Sequence, residues 1–285
     1  MSPSDVIIVG APRSGTNMLR DVLERLDGFT TWPCDEINAI WRHGNTAHPS
    51  DELRPEHARP EVTSFIRRQF DRLRGNDPSV RVVEKTCATS LRVEFTRAVK
   101  PDSQYVFITR DGVDAAVSAM ERWHAPFDFR YTAAKARFVP MTDIPRYAGR
   151  VIQRSVRRGR GQVAGVTTWW GPRPDDFRDL MASRQLDEIA AIQWSRCVDS
   201  SLRGLAGLGP DQLHHVSYEE FVAEPRQELR RLLDFLGAAE AYDERAVSGV
   251  RAGSVGKGRG ALGPDALRRV EAAAGATLER LGYAD

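Results

Sequence analysis

Asp5-Val6-Ile7-Ile8-Val9-Gly10-Ala11-Pro12-Arg13-Ser14-Gly15-Thr16-Asn17-Met18-Leu19 is the stretch on which the fold turns. Asp5 to Val9 is a short apolar run and reads as a buried strand. Asn17 to Leu26 reads as an amphipathic helix, with Met18, Leu19, Val22, Leu23 and Leu26 on one face. The turn between them, Gly10-x-x-x-x-Gly15, gathers backbone N–H groups around a single anion, and the helix N-terminus adds partial positive charge. Arg13, Ser14, Thr16 and Asn17 add side-chain donors to that turn. A glycine turn that only joins strand to helix has the same pattern.

The glycine spacing equals that of a Walker A loop, which continues with Lys and then Ser or Thr. Here those positions hold Thr16 and Asn17. The lysine that reaches the β- and γ-phosphates is missing, and so is the hydroxyl normally given to Mg²⁺. Both absences weaken an ATP- or GTP-dependent phosphotransferase reading.

Outward from this loop, strands are predicted at Arg81 to Glu84, Tyr105 to Thr109 and Leu213 to Ser217. Helices are predicted from Val113 to Trp123, from Leu186 to Leu205, and from Glu219 to Leu236, the last stopped by Gly237. Strands alternating with helices in this way predict βαβ units. The expected fold class is α/β: a P-loop-like three-layer α/β/α fold with a central, mainly parallel sheet. One domain over residues 1–285 is expected. The pattern weakens between Ala125 and Pro174, so a lid or acceptor-site insertion is placed around residues 125–185. Trp169-Trp170-Gly171-Pro172 reads equally as a lining for that site or as core.

At 285 residues, with 41% hydrophobic and 28% charged, the chain has the composition of a soluble globular protein. No apolar run is long enough to cross a bilayer, and the expected location is cytoplasmic. A net charge of +2 gives no general pull toward nucleic acid. Cys34, Cys87 and Cys197 are widely spaced and read as free thiols, with no structural zinc site.

Pro12-Arg13-Ser14-Gly15-Thr16-Asn17-Met18-Leu19 resembles the 5′-phosphosulfate loop of sulfotransferases that use 3′-phosphoadenosine 5′-phosphosulfate (PAPS). The resemblance implies that Arg13, Ser14, Gly15, Thr16 and Asn17 hold the donor's 5′-phosphate and sulfate. Tyr105-Val106-Phe107-Ile108-Thr109-Arg110-Asp111, with Ser118 eight residues after Arg110, is similar to the family's 3′-phosphate element. A strand end and the first turns of the next helix can aim one guanidinium and one hydroxyl at a single phosphate. Arg110 and Ser118 inherit that role, while Asp111 or Asp114 serves at the helix start. Arg110 and Asp111 acting only as caps would give the same pattern.

Val216-Ser217-Tyr218-Glu219-Glu220-Phe221, with Glu224-Pro225 and Phe235-Leu236-Gly237, resembles a third family segment. It puts Tyr218 near the adenine or in the core, and the remaining apolar residues on a helix face. Arg251-Ala252-Gly253-Ser254-Val255-Gly256-Lys257-Gly258-Arg259 resembles the loop that closes over the nucleotide. Arg251, Lys257 and Arg259 would supply charge there, and Gly253 and Gly256 close backbone approach. Ala252 stands where the family carries a second basic residue.

Sulfuryl transfer to an alcohol needs a base near the acceptor hydroxyl and positive charge near the leaving oxygen. Lys85, in Glu84-Lys85-Thr86-Cys87, resembles the family's lysine after its second core strand. Many members place a catalytic histidine at the position of Cys87. Others, bacterial ones among them, carry the E-K-T form found here and are thought to use a glutamate. Glu36 is favoured as the base, Glu84 is held in reserve, and Lys85 and Arg13 are the charge stabilisers. The donor is PAPS, the product 3′,5′-ADP, and no metal is expected. The acceptor is expected to be a hydroxyl compound (carbohydrate, lipid or secondary metabolite). Rival readings are the phosphotransferase and a non-catalytic 3′,5′-ADP-binding module.

Overall fold

The computed structural model describes residues 3–34, 36–124, 138, 140, 143 and 169–284. Much of the segment read as an insertion, residues 125–168 apart from 138, 140 and 143, therefore lies outside the described residues. In chain order the elements are β1 (Val6–Val9), α1 (Thr16–Glu24), β2 (Phe29–Thr30), α2 (Asn38–Trp41) and α3 (Pro60–Arg74). Next come β3 (Arg81–Lys85), α4 (Val93–Val99), β4 (Gln104–Thr109), α5 (Gly112–His124), α6 (Phe177–Ser183) and α7 (Leu186–Leu205). The chain continues with β5 (Leu213–Ser217), α8 (Tyr218–Ala223), α9 (Pro225–Leu236), α10 (Lys257–Ala261) and α11 (Pro264–Leu281).

The five strands form one sheet in the order β2-β3-β1-β4-β5, and every described pairing is parallel. All four β1 residues are buried, as a strand covered on both faces requires. Their side chains alternate between two cores. Val6 and Ile8 pack with Leu19, Val22 and Leu23 of α1 and with Phe221, Leu229 and Leu232 of α8 and α9. Ile7 and Val9 join the opposite core, built with Phe70, Phe95, Trp194 and Val270. Each fully buried aliphatic side chain contributes about 1.5–3 kcal/mol relative to exposure, so α1 is held chiefly by this face. The α/β expectation and its three layers are met.

One predicted helix is two. Glu219 to Leu236 was expected to run unbroken, but α8 stops at Ala223 and α9 starts at Pro225, with Glu224 at φ −127°, ψ 58° between them. Proline lacks the N–H for the ladder and disfavours helical backbone at the residue before it. The far end stops as expected, at Gly237 with φ +62°. Several elements carry no expectation above, β2 and α3 among them. β2 is only two residues long, and α3 buries Val62, Ile66 and Phe70 at four-residue spacing. Trp169 settles into a core role, packing edge-on against Trp123 and Phe177 and donating Nε1–H to the Pro172 carbonyl at 2.8 Å. No helix among the described residues is long and apolar enough to cross a membrane.

Candidate active site

Three loops leave the carboxyl ends of adjacent strands β3, β1 and β4, which is where an open parallel sheet presents its ligand crevice. The β1 loop is shaped by two left-handed residues, Arg13 at φ +67° and Gly15 at φ +89°. A Cβ at Gly15 would stand 2.4 Å from Tyr218 Cδ2, and one at Gly10 would stand 2.8 Å from the Ile108 carbonyl oxygen. Both glycines therefore let neighbouring elements close on the loop. Ser14 is fully buried, and neither its hydroxyl nor Asn17 Oδ1 has a hydrogen-bond partner among the described residues.

On the β4 side, Arg13 Nε donates to Ser118 Oγ at 2.9 Å. Arg110 donates from Nη1 to the Arg13 carbonyl at 2.9 Å and from Nη2 to the Ser254 carbonyl at 2.7 Å. Its guanidinium lies 4.6 Å from the Tyr218 ring centroid, and Tyr218 Oη is 2.7 Å from Ser254 Oγ. Arg13, Arg110, Ser118 and Tyr218, drawn from three separate sequence segments, are thus brought together. Asp111 caps α5, accepting from Val113 N at 2.7 Å.

The 251–259 segment, expected to close over the nucleotide, is largely engaged with the protein itself. Arg251 is exposed and turns back to the carbonyls of Ser248 and Val250, while Lys257 is exposed. Gly253 has open space around it. The amides of Gly256 and Gly258 donate to Asp114 Oδ2 and Oδ1 at 2.7 and 2.6 Å. Arg259 pairs with Asp111 Oδ2 at 2.6 Å and donates to the Tyr283 carbonyl at 3.0 Å. In this structure Arg259 works as a strut beneath the loop. Ser254 was not singled out by sequence, because a lone serine in a glycine-rich run carries no signal.

On the β3 side, Lys85 Nζ lies 3.4 Å from Glu36 Oε1, which also accepts the Cys87 amide at 3.2 Å. Thr16 Oγ1 is 3.7 Å from Cys87 Sγ. Burial pushes the Cys87 thiol up to about 12, so it stays protonated at neutral pH. Glu84 turns away from this group: it is fully buried and accepts from Thr86 Oγ1 at 2.5 Å. Burial raises its carboxyl to about 7, against the opposing pull of Thr86, Trp41, Arg92 and Lys85. Thr86 Oγ1 in turn accepts from Ile37 N at 3.2 Å, tying β3 to the chain beside Glu36.

Behind Glu36, Asp51 accepts from Arg42 Nη1 at 2.9 Å and lies 3.8 Å from Arg92 Nη1. Burial opposes ionisation of Asp51, but Arg92 and Arg42 overcome it and hold the carboxyl below its usual range. Burial also lowers Arg92 to about 10. No sequence pattern marked this buried cluster, since its members are spread over three segments. His43 is paired, its Nδ1 standing 2.8 Å from Asp143 Oδ2 and its ring 3.7 Å from that of Phe65.

Two solved structures share this fold. The sulfotransferase domain from the curacin biosynthetic pathway is 15% identical over 89% of this chain and 83% of its own, with a TM-score of 0.51. The sulfotransferase domain from the Synechococcus PCC 7002 olefin synthase is 14% identical over 94% of each chain, with a TM-score of 0.51. Comparison with curated protein sequences finds no match. The model of the sulfotransferase domain family, however, matches residues 3–251, across all five strands and both charged groupings. On that match, the chain belongs to the sulfotransferase domain family.

Proposed function

We propose that the protein transfers the sulfuryl group of PAPS to a hydroxyl acceptor and releases 3′,5′-ADP. The observation that carries this reading is the pair of polar groupings flanking the β1 loop. Arg13, Ser118, Arg110 and Tyr218 gather on the β4 side, and Lys85, Thr16 and Glu36 on the β3 side. A donor charged at both its 3′ and 5′ positions needs two such groupings, and a loop without the Walker lysine suits it better than a triphosphate. The buried, unpartnered Ser14 hydroxyl fits a loop that meets anionic oxygens.

In this reading Ser14, Gly15, Thr16 and Asn17 line the 5′-phosphosulfate, and Arg110 and Ser118 meet the 3′-phosphate. Tyr218 and the 251–259 segment cover the nucleotide. Lys85 and Arg13 offset charge that develops on the leaving oxygen. Glu36 takes the proton of the acceptor hydroxyl as its oxygen bonds to sulfur and the bond from sulfur to the phosphate oxygen breaks. One domain is proposed over residues 1–285, with the segment around 125–185 on the acceptor side. The acceptor is a carbohydrate, lipid or secondary metabolite, and the setting is cytoplasmic.

Thermal unfolding with 3′,5′-ADP and, separately, with ATP and Mg²⁺ tests the donor, since a ligand of the folded state raises Tm. A larger rise with 3′,5′-ADP is expected. Preference for ATP with Mg²⁺ overturns the reading in favour of a phosphotransferase. Binding of 3′,5′-ADP without transfer from labelled PAPS to any of a panel of hydroxyl acceptors would make the protein a binding module.

A further inference from the structure

Asp114 and Ser118 lie four residues apart on one face of α5, and Arg110, just before that helix, reaches the same side beside the β1 loop. In the donor reading, on which this inference rests, Arg110 and Ser118 meet a phosphate. A carboxylate between them carries the wrong charge for that task and would repel the ligand. The Asp114 side chain is nevertheless 3% exposed, with its Oδ2 3.7 Å from Arg110 Nη2. Its hydrogen bonds run elsewhere, one oxygen accepting from Gly256 N and the other from Gly258 N.

Those two amides dock the 254–258 segment onto α5. The docked segment supplies the Ser254 carbonyl that receives Arg110 Nη2, and the Ser254 hydroxyl that meets Tyr218. Gly258 shows how close the docking is: a Cβ there would lie 2.8 Å from the Asp114 backbone nitrogen and Cα. We infer that Asp114 is a positioning residue for recognition of the 3′-phosphate. It clamps the glycine segment by two amides and thereby fixes the Arg110 guanidinium between Arg13, Ser254 and the Tyr218 ring. It neither touches the donor nor moves a proton.

Asp114→Asn keeps the shape but puts an N–H where one of the two amides needs an acceptor. The readout is the preference for 3′,5′-ADP over 5′-AMP, measured as the ratio of their Kd values by calorimetry. In the unaltered protein 3′,5′-ADP is expected to bind the more tightly. Asp114→Asn should weaken 3′,5′-ADP binding about tenfold or more while changing 5′-AMP binding little, so the ratio collapses. Gly258→Ala, whose added Cβ would meet the Asp114 backbone and Oδ1 at 2.8 Å and so push the same segment off α5 with the carboxylate retained, should collapse it too. That second variant carries the test if Asp114→Asn does not fold. A ratio preserved in the folded variants overturns the positioning role and leaves the donor reading standing. Absence of any preference in the unaltered protein overturns the donor reading itself, and the inference with it.

Discussion

Lys85 Nζ and Glu36 Oε1 lie 3.4 Å apart, joining the end of β3 to a segment 49 residues earlier in the chain. The lysine side chain is 2% exposed and that of the glutamate 25%, so the ammonium is the more deeply buried of the two. Glu84 is Lys85's neighbour in sequence but lies on the opposite side of the strand, buried toward Thr86. Strand alternation separates the two glutamates, and in the proposed reaction Glu36, not Glu84, meets the acceptor hydroxyl.

Glu36→Gln should therefore lower kcat by about 10²–10⁴-fold while leaving the Kd for 3′,5′-ADP unchanged. Steady-state kinetics with a competent acceptor, set beside calorimetric nucleotide binding, reads both quantities. Near-normal turnover would remove Glu36 from the role of base.

Arg110→Lys keeps the charge and loses the planar fork that reaches the Arg13 and Ser254 carbonyls from separate nitrogens. Affinity for 3′,5′-ADP should fall about 10- to 100-fold, because an ammonium cannot make both bonds while lying over the Tyr218 ring. Equal affinity in the two proteins would show that the fork is not used.

Glu84 gives the protein a pH dependence of known sign. Its carboxyl is raised from 4.5 to about 7 by burial, so between those values the folded state binds more protons than the unfolded chain. Stability from this group is complete below pH 4.5 and is lost as pH rises through 7, by about 3 kcal/mol at the limit. Glu84→Gln should flatten the decline of Tm between pH 5 and pH 8. An identical decline in the variant would mean that Glu84 does not titrate in that window.

Gly15→Ala should destabilise the fold by about 1–3 kcal/mol or more. The residue sits at φ +89°, and the added Cβ would run into the Tyr218 ring at 2.4 Å. Urea unfolding checks this, and an unchanged midpoint would mean that the loop and α8 separate without strain.

β1 and β4 were legible because a both-faces-buried strand is an apolar run, and Val6-Ile7-Ile8-Val9 and Tyr105-Val106-Phe107-Ile108 are such runs. β2 was not, since Phe29–Thr30 earns its strand status only by pairing with Arg81 and Val82. The site split along a similar line. Arg13 and Arg110 sit just past strand ends, Lys85 ends β3 and Ser118 lies in the helix that follows β4, so local pattern fixes their positions. Arg259 has partners that no local pattern shows. Only the folded chain brings Asp111 and Tyr283 to it. The Asp51–Arg42–Arg92 cluster is assembled wholly by tertiary packing and left no trace in any window of sequence.

Arg13 holds a left-handed backbone at φ +67°, a conformation in which glycine is the easier residue by about 1 kcal/mol. A chain selected for folding alone would carry glycine there. In the proposed reading, the arginine at this position sets ligand chemistry against conformational ease. It also opens an unusual experimental route, because Arg13→Gly would empty the loop of charge while relaxing its path. Function and stability should move in opposite directions at this one position.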